Sequence, residues 1–360
     1  MFDRNYWEFL TKVKHNYYLF HINIEFLKMQ FDFGFRFDIG KDIGSGHFFR
    51  CFSIAEKLIE SGFKVIFLVN DKQQIEHHLK DKKISFHVLK NKSDLERVTE
   101  CKILVKNISK LVIDLPFYNE MYSKLLKNDC KTIIIDDIGN KKIYSKLLIN
   151  GSIVKEFQKY FINSSVTEYF SGTKYIILRS EFKTIRNQIK LNKKIKKILL
   201  IFGGSDENNL TGKILPYFLD SGFNITVVLG PSYRFEEELK NKFLKNQSIK
   251  IIHNKQNIGE LFAEQDLVIS SSGITAYELA CLGIPSILIP TDKYQIKTSN
   301  AMEKIGFGIN YGYWDDDFSK LSNIISVISS YSTREKMYFS GRSMVDGKGI
   351  DRILEKICEI

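Results

Sequence analysis

The sequence lacks the features that mark membrane-spanning, metal-binding and disulfide-bonded proteins. Its 360 residues include only 5 cysteines, at positions 51, 101, 130, 281 and 358, which are odd in number and far apart. This spacing fits neither a metal site nor a disulfide framework, so reduced thiols in a cytoplasmic protein are expected. No apolar run approaches the roughly 20 residues that cross a bilayer, so integral membrane association is not expected.

Several catalytic and binding signatures are also absent. There is no nucleophile elbow of the GxSxG type and no cluster with metal-ligand spacing, which disfavours a Ser–His–Asp hydrolase and a metal enzyme. No metal and no cofactor are therefore expected. The net charge of +11 fits either a soluble basic protein or one that binds a nucleotide or phosphorylated substrate. Nucleic acid is not an expected partner, because no aromatic–basic RNA-binding signature appears.

Residues 1–28 are interpreted as an extension ahead of the fold, whose body is expected to begin at Met29. The extension contains "YYLFHINIEFL", but His21, Asn23 and Glu25 interrupt this apolar stretch. No small-residue cleavage site follows it, so a signal peptide is not expected.

What the chain does contain is an alternation of short apolar runs with longer amphipathic ones. The predicted strands are 33–38, 64–69, 111–115 and 132–136, then 197–203, 225–230, 249–253, 267–272 and 286–290. The predicted helices are 47–61 and 118–128, then 208–221, 234–246, 257–264, 275–282 and 297–305. Strands that are apolar at nearly every residue and are separated by helices indicate parallel sheets buried on both faces.

A polar, lysine-rich stretch at 183–197 separates the two series and is interpreted as a linker. The predicted fold class is therefore α/β, with two Rossmann-like, doubly wound parallel-sheet domains facing a cleft. The expected boundaries are 29–183 for the N-terminal domain, 198–335 for the C-terminal domain and 336–360 for a C-terminal helix. Because ligands of such sheets bind outside the carboxyl ends of the strands, the loops there are the candidate site.

One strand of the C-terminal domain ends in serines followed by Gly273, and a helix is predicted to start near Thr275. Unpaired N–H groups and the helix dipole make such a helix start a ready site for a phosphate. The candidate phosphate contacts are Ser272, Gly273, Ile274 and Thr275, and Glu278 one turn further on could accept hydrogen bonds from two ribose hydroxyls. The alternative is that the serines cap the helix and Glu278 is a solvated helix residue.

A second loop of the C-terminal domain repeats this pattern. Gly203, Gly204 and Ser205 follow its first strand, and two glycines there allow a tight turn and close contact with an anion, although a lone glycine pair is a weak signal. The alternative is a turn followed by a helix cap from Asp206 or Asn208.

A third loop, after strand 286–290, is expected to line the same edge of the sheet. Tyr294 and Gln295 are candidates for contacts with a base or a sugar, and Lys293 and Lys297 could add charge near a diphosphate. Otherwise all four are ordinary solvated loop residues.

In the N-terminal domain a glycine-rich loop connects a predicted strand to a predicted helix. Gly44 and Gly46 belong to this loop, and His47 sits at the start of the helix. A helix N-terminus disfavours the imidazolium, so His47 is expected to be neutral near pH 7 and able to take a proton. Arg50, three residues on, lies on the same side of the helix and could reach an anion. The alternative is that His47 caps the helix or positions the substrate.

Aspartates end several strands of the same domain. Asp38 is the second catalytic candidate, because it could orient His47, contact the sugar or merely anchor its loop. Asp114 is a candidate for substrate binding, since its strand end could reach the cleft. Asp136 and Asp137 could do the same, or could anchor the turn that follows them.

Seven stretches together resemble one protein family throughout. They are "FRFDIGKDIGSGHFFRC", "VIDL", "IIIDDIGN", "SGTKYIILRSEF", "IFGGSDENNLT", "SSSGITAYELACLGIPSILI" and "MVDGKGIDRI", in order from about 33 to 356. The family is that of the UDP-2,4-diacetamido-2,4,6-trideoxy-β-L-altropyranose hydrolases of pseudaminic acid synthesis, with the related spore-coat polysaccharide proteins. It is similar in fold to the peptidoglycan N-acetylglucosaminyltransferases, which implies a GT-B arrangement of two Rossmann-like domains.

The resemblance also implies roles for individual residues. The histidine of the family's GxGH stretch falls on His47, which would activate water, and the diphosphate loop falls on 272–275. Glu278 would lie near the ribose, and Gln295 matches the glutamine after the next strand.

Two positions depart from the family pattern. Tyr294 replaces the usual asparagine, and Asp114 is followed by Leu115 and Pro116 rather than by the usual Asp-x-Tyr, with a tyrosine only at Tyr118. These departures affect the sugar pocket more than the nucleotide site.

The implied reaction is attack of water at the anomeric carbon of a UDP-sugar, with inversion and release of UDP. A glycosyltransferase of the same fold, with an acceptor hydroxyl in place of water, is the first alternative. A nucleotide-sugar binding protein without catalytic activity is the second.

Overall fold

The computed structural model describes residues 29–360 except 41, 42, 44, 45, 73, 74, 80, 81, 83, 91, 92, 118, 244, 245 and 256. Two all-parallel β-sheets, one in each half of this region, are covered by helices on both faces. The predicted fold class, two doubly wound α/β domains, is confirmed.

Among the described residues, the first sheet has 7 strands in the order β3-β2-β1-β4-β5-β6-β7. Its strands are β1 (Phe31–Phe37), β2 (Val65–Val69), β3 (Ser85–Val88), β4 (Ile108–Asp114), β5 (Lys131–Ile135), β6 (Leu147–Asn150) and β7 (Glu168–Ser171). The helices that connect them are α1 (Gly46–Glu60), α2 (Glu76–Leu79), α3 (Asp94–Leu104) and α4 (Asn119–Leu126).

The part of the second sheet that the structure describes has 6 strands in the order β10-β9-β8-β11-β12-β13. Its strands are β8 (Lys197–Ile201), β9 (Asn224–Leu229), β10 (Ile249–His253), β11 (Leu267–Ser270), β12 (Ser286–Leu288) and β13 (Ile309–Asn310). The helices of this half are α5 (Ser180–Ile185), α6 (Leu210–Ile214), α7 (Glu236–Phe243), α8 (Ile258–Ala263), α9 (Ile274–Leu282), α10 (Lys293–Lys304), α11 (Leu321–Ile328), α12 (Tyr331–Met344) and α13 (Gly349–Glu359).

Strand order places a crevice in each sheet. The chain runs outward from β1 through β2 to β3, then returns to place β4 on the other side of β1. The loops after β1 and β4 therefore leave in opposite directions and open a gap at the carboxyl ends of the strands. The same reversal occurs between β8 and β11. These two gaps are the places where a doubly wound protein binds ligands.

Side chains that alternate between the two faces of β1 form part of the core of the first domain. Phe33, Phe35 and Phe37 point to one face and are almost completely buried, because successive side chains of a strand alternate between the two faces. The ring of Phe37 packs edge-on against Phe67 of β2 at a centroid distance of 5.1 Å. Phe48 of α1 packs on the same cluster, which holds the start of that helix close to the end of β1.

The C-terminal segment returns to the first domain. The predicted helix 336–360 is in fact two helices, α12 and α13, and residues Ile350, Ile353 and Ile357 of α13 lie in the same core as the phenylalanines of β1. Gly349 permits this return, since a Cβ there would lie 2.0 Å from the carbonyl oxygen of Ile176.

Of the strands in the described residues, the sequence analysis does not predict four, and three of these lie at sheet edges. β3, β7 and β13 are edge strands whose residues are mostly half-buried, so they lack the continuous apolar run that a central parallel strand shows. The fourth, β6, is fully buried but only 4 residues long. The predicted linker 183–197 begins inside α5 and ends where β8 starts. Within the described part of the chain, no helix combines the length and apolar character needed to cross a bilayer.

Candidate active site

His47 and Asp114 meet at the crevice of the first sheet. His47 is the second residue of α1, which follows β1, and Asp114 is the last residue of β4. The Nδ1 atom of His47 lies 2.7 Å from Oδ1 of Asp114. Because an ionised carboxylate can only accept hydrogen bonds, the contact with Asp114 requires the proton on Nδ1, and Nη2 of Arg50, 3.1 Å from Nδ1, is then a second donor beside it and not its hydrogen-bond partner. Nε2 is then left with its lone pair, and it has no hydrogen-bond partner among the described residues.

Burial distinguishes the two members of this pair. Asp114 is 1% exposed, whereas the His47 side chain keeps 18% of its surface accessible. Burial acts to raise the pKa of Asp114, but the charge of Arg50 and the contact with His47 outweigh it, so this pKa lies below its ordinary value. The carboxylate is therefore ionised at neutral pH and holds the imidazole in one orientation.

The partners of Asp114 and Arg50 differ from those expected for substrate-binding residues. Arg50 donates from Nε to Oδ2 of Asp114 at 2.9 Å and from Nη2 to Oδ1 at 2.6 Å. Its Nη1 forms an ion pair with Asp137, which follows β5. The Asp114 carboxylate is thus occupied by protein partners and almost fully buried, and each nitrogen of Arg50 is paired with a carboxylate.

Asp38 does not orient His47 in this structure. Its Oδ1 accepts a hydrogen bond of 2.6 Å from Nη1 of Arg36, and both side chains are buried. Nε of Arg36 donates to the hydroxyl of Tyr122 on α4. The arrangement is that of a loop-anchoring ion pair, which was one of the three roles open to Asp38, and the carboxylate that contacts the base is Asp114.

The start of α9, at the crevice of the second sheet, has no side-chain cap. Gly273 is the N-cap, and the N–H groups of Gly273, Ile274 and Thr275 donate to no described residue. The hydroxyl of Ser272 is buried and has no hydrogen-bond partner among the residues that the structure describes. A helix start with free donors and an unsatisfied hydroxyl is suited to an anion.

The start of α6, after Gly203, Gly204 and Ser205, is capped. Asp206 accepts hydrogen bonds from the N–H groups of Leu210 and Thr211, at 2.8 and 2.9 Å. Asn209 is the N-cap and accepts from Gly212. The donors of this helix are therefore already used, as the alternative interpretation of this loop predicts, with Asn209 in place of Asn208.

Gln295 braces the loop before α9. Its Oε1 accepts from the N–H of Ser272 at 2.9 Å and from that of Thr291 at 3.2 Å, while Nε2 donates to Asp292. The side chain thus connects the loops after β11 and β12. This contact explains why a glutamine is placed at the start of α10 without requiring it to touch a base or a sugar.

Arg179 lies beside the candidate site, although it is not among the residues predicted from the sequence. It precedes α5 and donates from Nε and Nη2 to Oε1 of Glu278, at 3.2 and 2.9 Å. Oε2 of Glu278 accepts no hydrogen bond from any described residue. The guanidinium also lies 5.5 Å from the ring centre of Phe49 on α1. Arg179 stands in "YIILRSEF", where a lone charged residue ends an apolar run, and that contrast was the available signal.

Side chains from the two domains touch beside the cleft. Lys297 of α10 forms an ion pair with Glu156, and the Tyr294 ring packs edge-on against Phe157 at 6.0 Å between centroids. The hydroxyl of Tyr277 accepts a hydrogen bond from the N–H of Ile153 at 3.1 Å. These contacts join the second domain to the segment that follows β6 in the first domain. Gly44 and Tyr118 lie outside the described residues.

The two parallel-sheet domains and the cleft between them define a GT-B protein. Residues 186–344 match the glycosyltransferase family 28 C-terminal domain. The crystal structure of MurG from Acinetobacter baumannii has the same fold, with a TM-score of 0.67 and 14% identity over 91% of this chain and 100% of that one.

Two relatives are similar in sequence. An uncharacterized protein of Methanocaldococcus jannaschii is 33% identical over 267 residues, which are 71% of this chain and 54% of that protein, so the chain spans about half of its length. The spore coat polysaccharide biosynthesis protein SpsG of Bacillus subtilis is 26% identical over 332 residues, which cover 88% of this chain and 94% of SpsG. The chain is thus similar in sequence to SpsG over most of its length.

Proposed function

We propose that this chain hydrolyses a UDP-linked amino or deoxy sugar at the anomeric carbon and releases UDP. The reaction would serve nonulosonic (pseudaminic) acid or surface polysaccharide biosynthesis. The observation that carries the proposal is the pair of complementary sites across the cleft: a histidine held by a buried carboxylate, and an uncapped helix start with a buried, unpartnered hydroxyl. The name of the Bacillus subtilis relative supports the polysaccharide context.

His47 is the general base in this scheme. Asp114 keeps the proton on Nδ1, so the lone pair of Nε2 is directed away from the carboxylate. Nε2 takes a proton from water as the water oxygen bonds to the anomeric carbon. The bond from that carbon to the diphosphate oxygen breaks at the same time, and its electron pair leaves with UDP. A single base acting on the face opposite the leaving group inverts the anomeric centre.

The start of α9 receives the leaving group. The free N–H groups of residues 273–275 and the hydroxyl of Ser272 would bind the diphosphate oxygens, and the helix dipole would stabilise their charge. Arg179 supplies a cation beside this helix, and the free Oε2 of Glu278 would accept hydrogen bonds from the ribose. Because the diphosphate leaves as a stabilised anion, the scheme needs no strong protein acid.

The direct test is incubation with a panel of UDP-sugars, with and without candidate acceptors. We expect UDP to be released from a UDP-linked amino or deoxy sugar at full rate without acceptor, and the first product seen by NMR to be the inverted anomer. UDP release is measured by a coupled assay. Release that stays at slow leakage until an acceptor is added would instead establish a transferase.

Transfer to a hydroxyl acceptor is the second candidate function. It is favoured by the match of residues 186–344 to the glycosyltransferase family 28 C-terminal domain. The base and the diphosphate site would keep the same roles, with the acceptor oxygen in place of water. The third possibility, a binding protein without activity, predicts UDP binding but no turnover of any donor.

Gly273→Ala tests the diphosphate site. A Cβ at Gly273 would have only Nε2 of Gln295 within 4 Å, at 3.8 Å, so the substitution is compatible with the fold and places a methyl group beside the free donors. We expect UDP to bind about 10- to 100-fold more weakly by calorimetry, the equivalent of losing about one hydrogen bond to a charged group.

Gly204→Ala is the matched comparison, because a Cβ there would meet nothing within 4 Å and α6 is already capped. We expect it to change UDP affinity less than Gly273→Ala does. If Gly204→Ala lowered UDP affinity more than Gly273→Ala does, that result would indicate that the diphosphate binds at the loop after β8.

A further inference from the structure

We propose that Arg50 is a positioning residue for the base: it keeps Asp114 ionised inside the protein and offsets its negative charge beside the imidazole. The His47 ring then keeps its proton on Nδ1 and presents the lone pair of Nε2. The inference rests on the proposed function, because it assigns how the base of that reaction is maintained. It replaces the sequence-based expectation that Arg50 reaches a substrate anion.

The contacts of Arg50 leave it little capacity for a ligand. Two of its nitrogens, Nε and Nη2, hold both oxygens of Asp114 in a two-pronged arrangement, and Nη1 is paired with Asp137. The side chain is 9% exposed. Such a fork fixes the plane of the carboxylate as well as its position, which a single point charge on lysine would not do. The plane of Asp114 in turn fixes the direction of Nδ1 of His47.

Charge compensation at the imidazole is the second part of the argument. Nδ1 of His47 lies 2.7 Å from Oδ1 of Asp114 and 3.1 Å from Nη2 of Arg50. The ring therefore faces a negative and a positive group at similar distances. A carboxylate alone at this distance would favour the imidazolium, which cannot accept a proton from water.

The other groups around this pair do not supply the same compensation. The sulfur of Cys51 lies 4.0 Å from Oδ2 of Asp114, and burial raises the pKa of this thiol well above its ordinary value, so it is neutral. Arg36 donates hydrogen bonds to Asp38 and Tyr122. Arg179, which precedes α5, is bound to Glu278 of the second domain. Asp137 adds negative charge, but its side chain is 41% exposed, so solvent screens that charge.

The experiment compares Arg50→Gln and Arg50→Lys through the pH dependence of kcat. With the charge removed in Arg50→Gln, the imidazole keeps its proton to higher pH, so the acidic limb of the profile should move upward by about one pH unit. Arg50→Lys keeps the charge but loses the fork. We expect its acidic limb to stay near that of the wild type while kcat falls by about tenfold.

The tautomer is read independently by ¹⁵N NMR of His47 in the same proteins. Wild type and Arg50→Lys should show a neutral ring protonated on Nδ1, and Arg50→Gln should titrate at higher pH. This readout needs no substrate, so it tests the positioning role even if no UDP-sugar is cleaved and the proposed function fails. Asp137→Asn is the matched control, and it should leave both the limb and the NMR titration nearly unchanged.

Two results would overturn the proposal. One is a folded Arg50→Gln protein whose kcat is lower but whose acidic limb in the pH dependence of kcat is unchanged, and whose His47 titration by NMR is also unchanged. The other is a selective rise in KM with kcat unchanged, since that pattern would assign Arg50 to substrate binding. Thermal unfolding and UDP calorimetry on each variant verify that it is folded. If Arg50→Gln fails to fold, Arg50→Ala with added guanidinium takes its place, with recovery of kcat expected and no recovery counting against the proposal.

Discussion

His47→Ala is expected to lower the rate of UDP release by about 10²- to 10⁴-fold, the usual contribution of a positioned general base. The loss should fall on kcat, because the diphosphate and ribose contacts of the proposed scheme lie on the other domain. For the same reason, the affinity of the variant for UDP should stay within about twofold of the wild-type affinity, a difference of less than about 0.5 kcal/mol in binding free energy. Initial rates with the best donor of the panel and calorimetry with UDP provide the two measurements.

Two further histidine variants sharpen this result. His47→Asn retains an amide that can donate to Asp114 but has no basic nitrogen, so it should be as inactive as His47→Ala. His253→Ala removes a histidine whose side chain is 42% exposed at the end of β10, and it should leave the rate unchanged. An active His47→Asn would show that the side chain orients a reactant and does not take the proton.

Asp114→Asn is expected to reduce both the rate and the stability. The carboxylate accepts from Arg50 at both oxygens and from His47 at one of them. An amide has one acceptor oxygen, so its NH₂ group must face either Arg50 or Nδ1 of His47. In the second case it stabilises the wrong tautomer, a change that costs about 10⁴-fold in the serine-protease triad. We expect kcat to fall by about 10³-fold, and the free energy of unfolding by about 3 kcal/mol because Arg50 loses a buried counter-charge.

The stability effect should depend on pH in a defined direction. The pKa of Asp114 is lower in the folded protein than its ordinary value, so the folded state binds fewer protons than the unfolded state at acidic pH. The stabilisation is therefore complete above about pH 4, the unfolded value, and is lost as the pH falls through the folded value. Urea unfolding at pH 7 and near pH 3 should show a large difference between wild type and Asp114→Asn at the higher pH and a smaller one at the lower.

A control carboxylate separates this effect from general loss of charge. Asp137 pairs with the same arginine but is 41% exposed, so solvent screens its contribution. Asp137→Asn should change the free energy of unfolding by less than about 1 kcal/mol. Equal losses in the two variants would mean that Asp114 is not the residue that compensates Arg50 in the protein interior.

The central strands and the helix starts could be predicted because their patterns are local. Predicted strand 64–69 is β2 at Val65–Val69, and predicted strand 249–253 coincides with β10. Predicted helix 275–282 differs from α9 by one residue at its start. A parallel strand that is buried on both faces consists of consecutive apolar residues, so it can be recognised in the sequence. The edge strand β3 is half-buried and has no such apolar run.

The partners of the site residues could not be predicted in the same way. Asp38 stands nine residues before His47, so it was the natural choice for the orienting carboxylate, but its counter-charge is Arg36 on the same strand. Asp114 is 67 residues from His47 in the chain and reaches it because β4 returns to lie beside β1. Arg179 and Glu278 are 99 residues apart and meet across the two domains.

The sequence by itself determined the alternation of strands and helices, the two-domain α/β class and the strand ends at which a site would lie. These properties follow from hydrophobic burial and from glycine at turns, which act over a few neighbouring residues. Only the tertiary structure decided that Asp114 holds His47, that Arg50 faces inward to two carboxylates, and that α9 rather than α6 has free donors. Hydrogen-bond partners depend on strand order and on which donors are already satisfied, and neither is encoded in any short stretch of the chain.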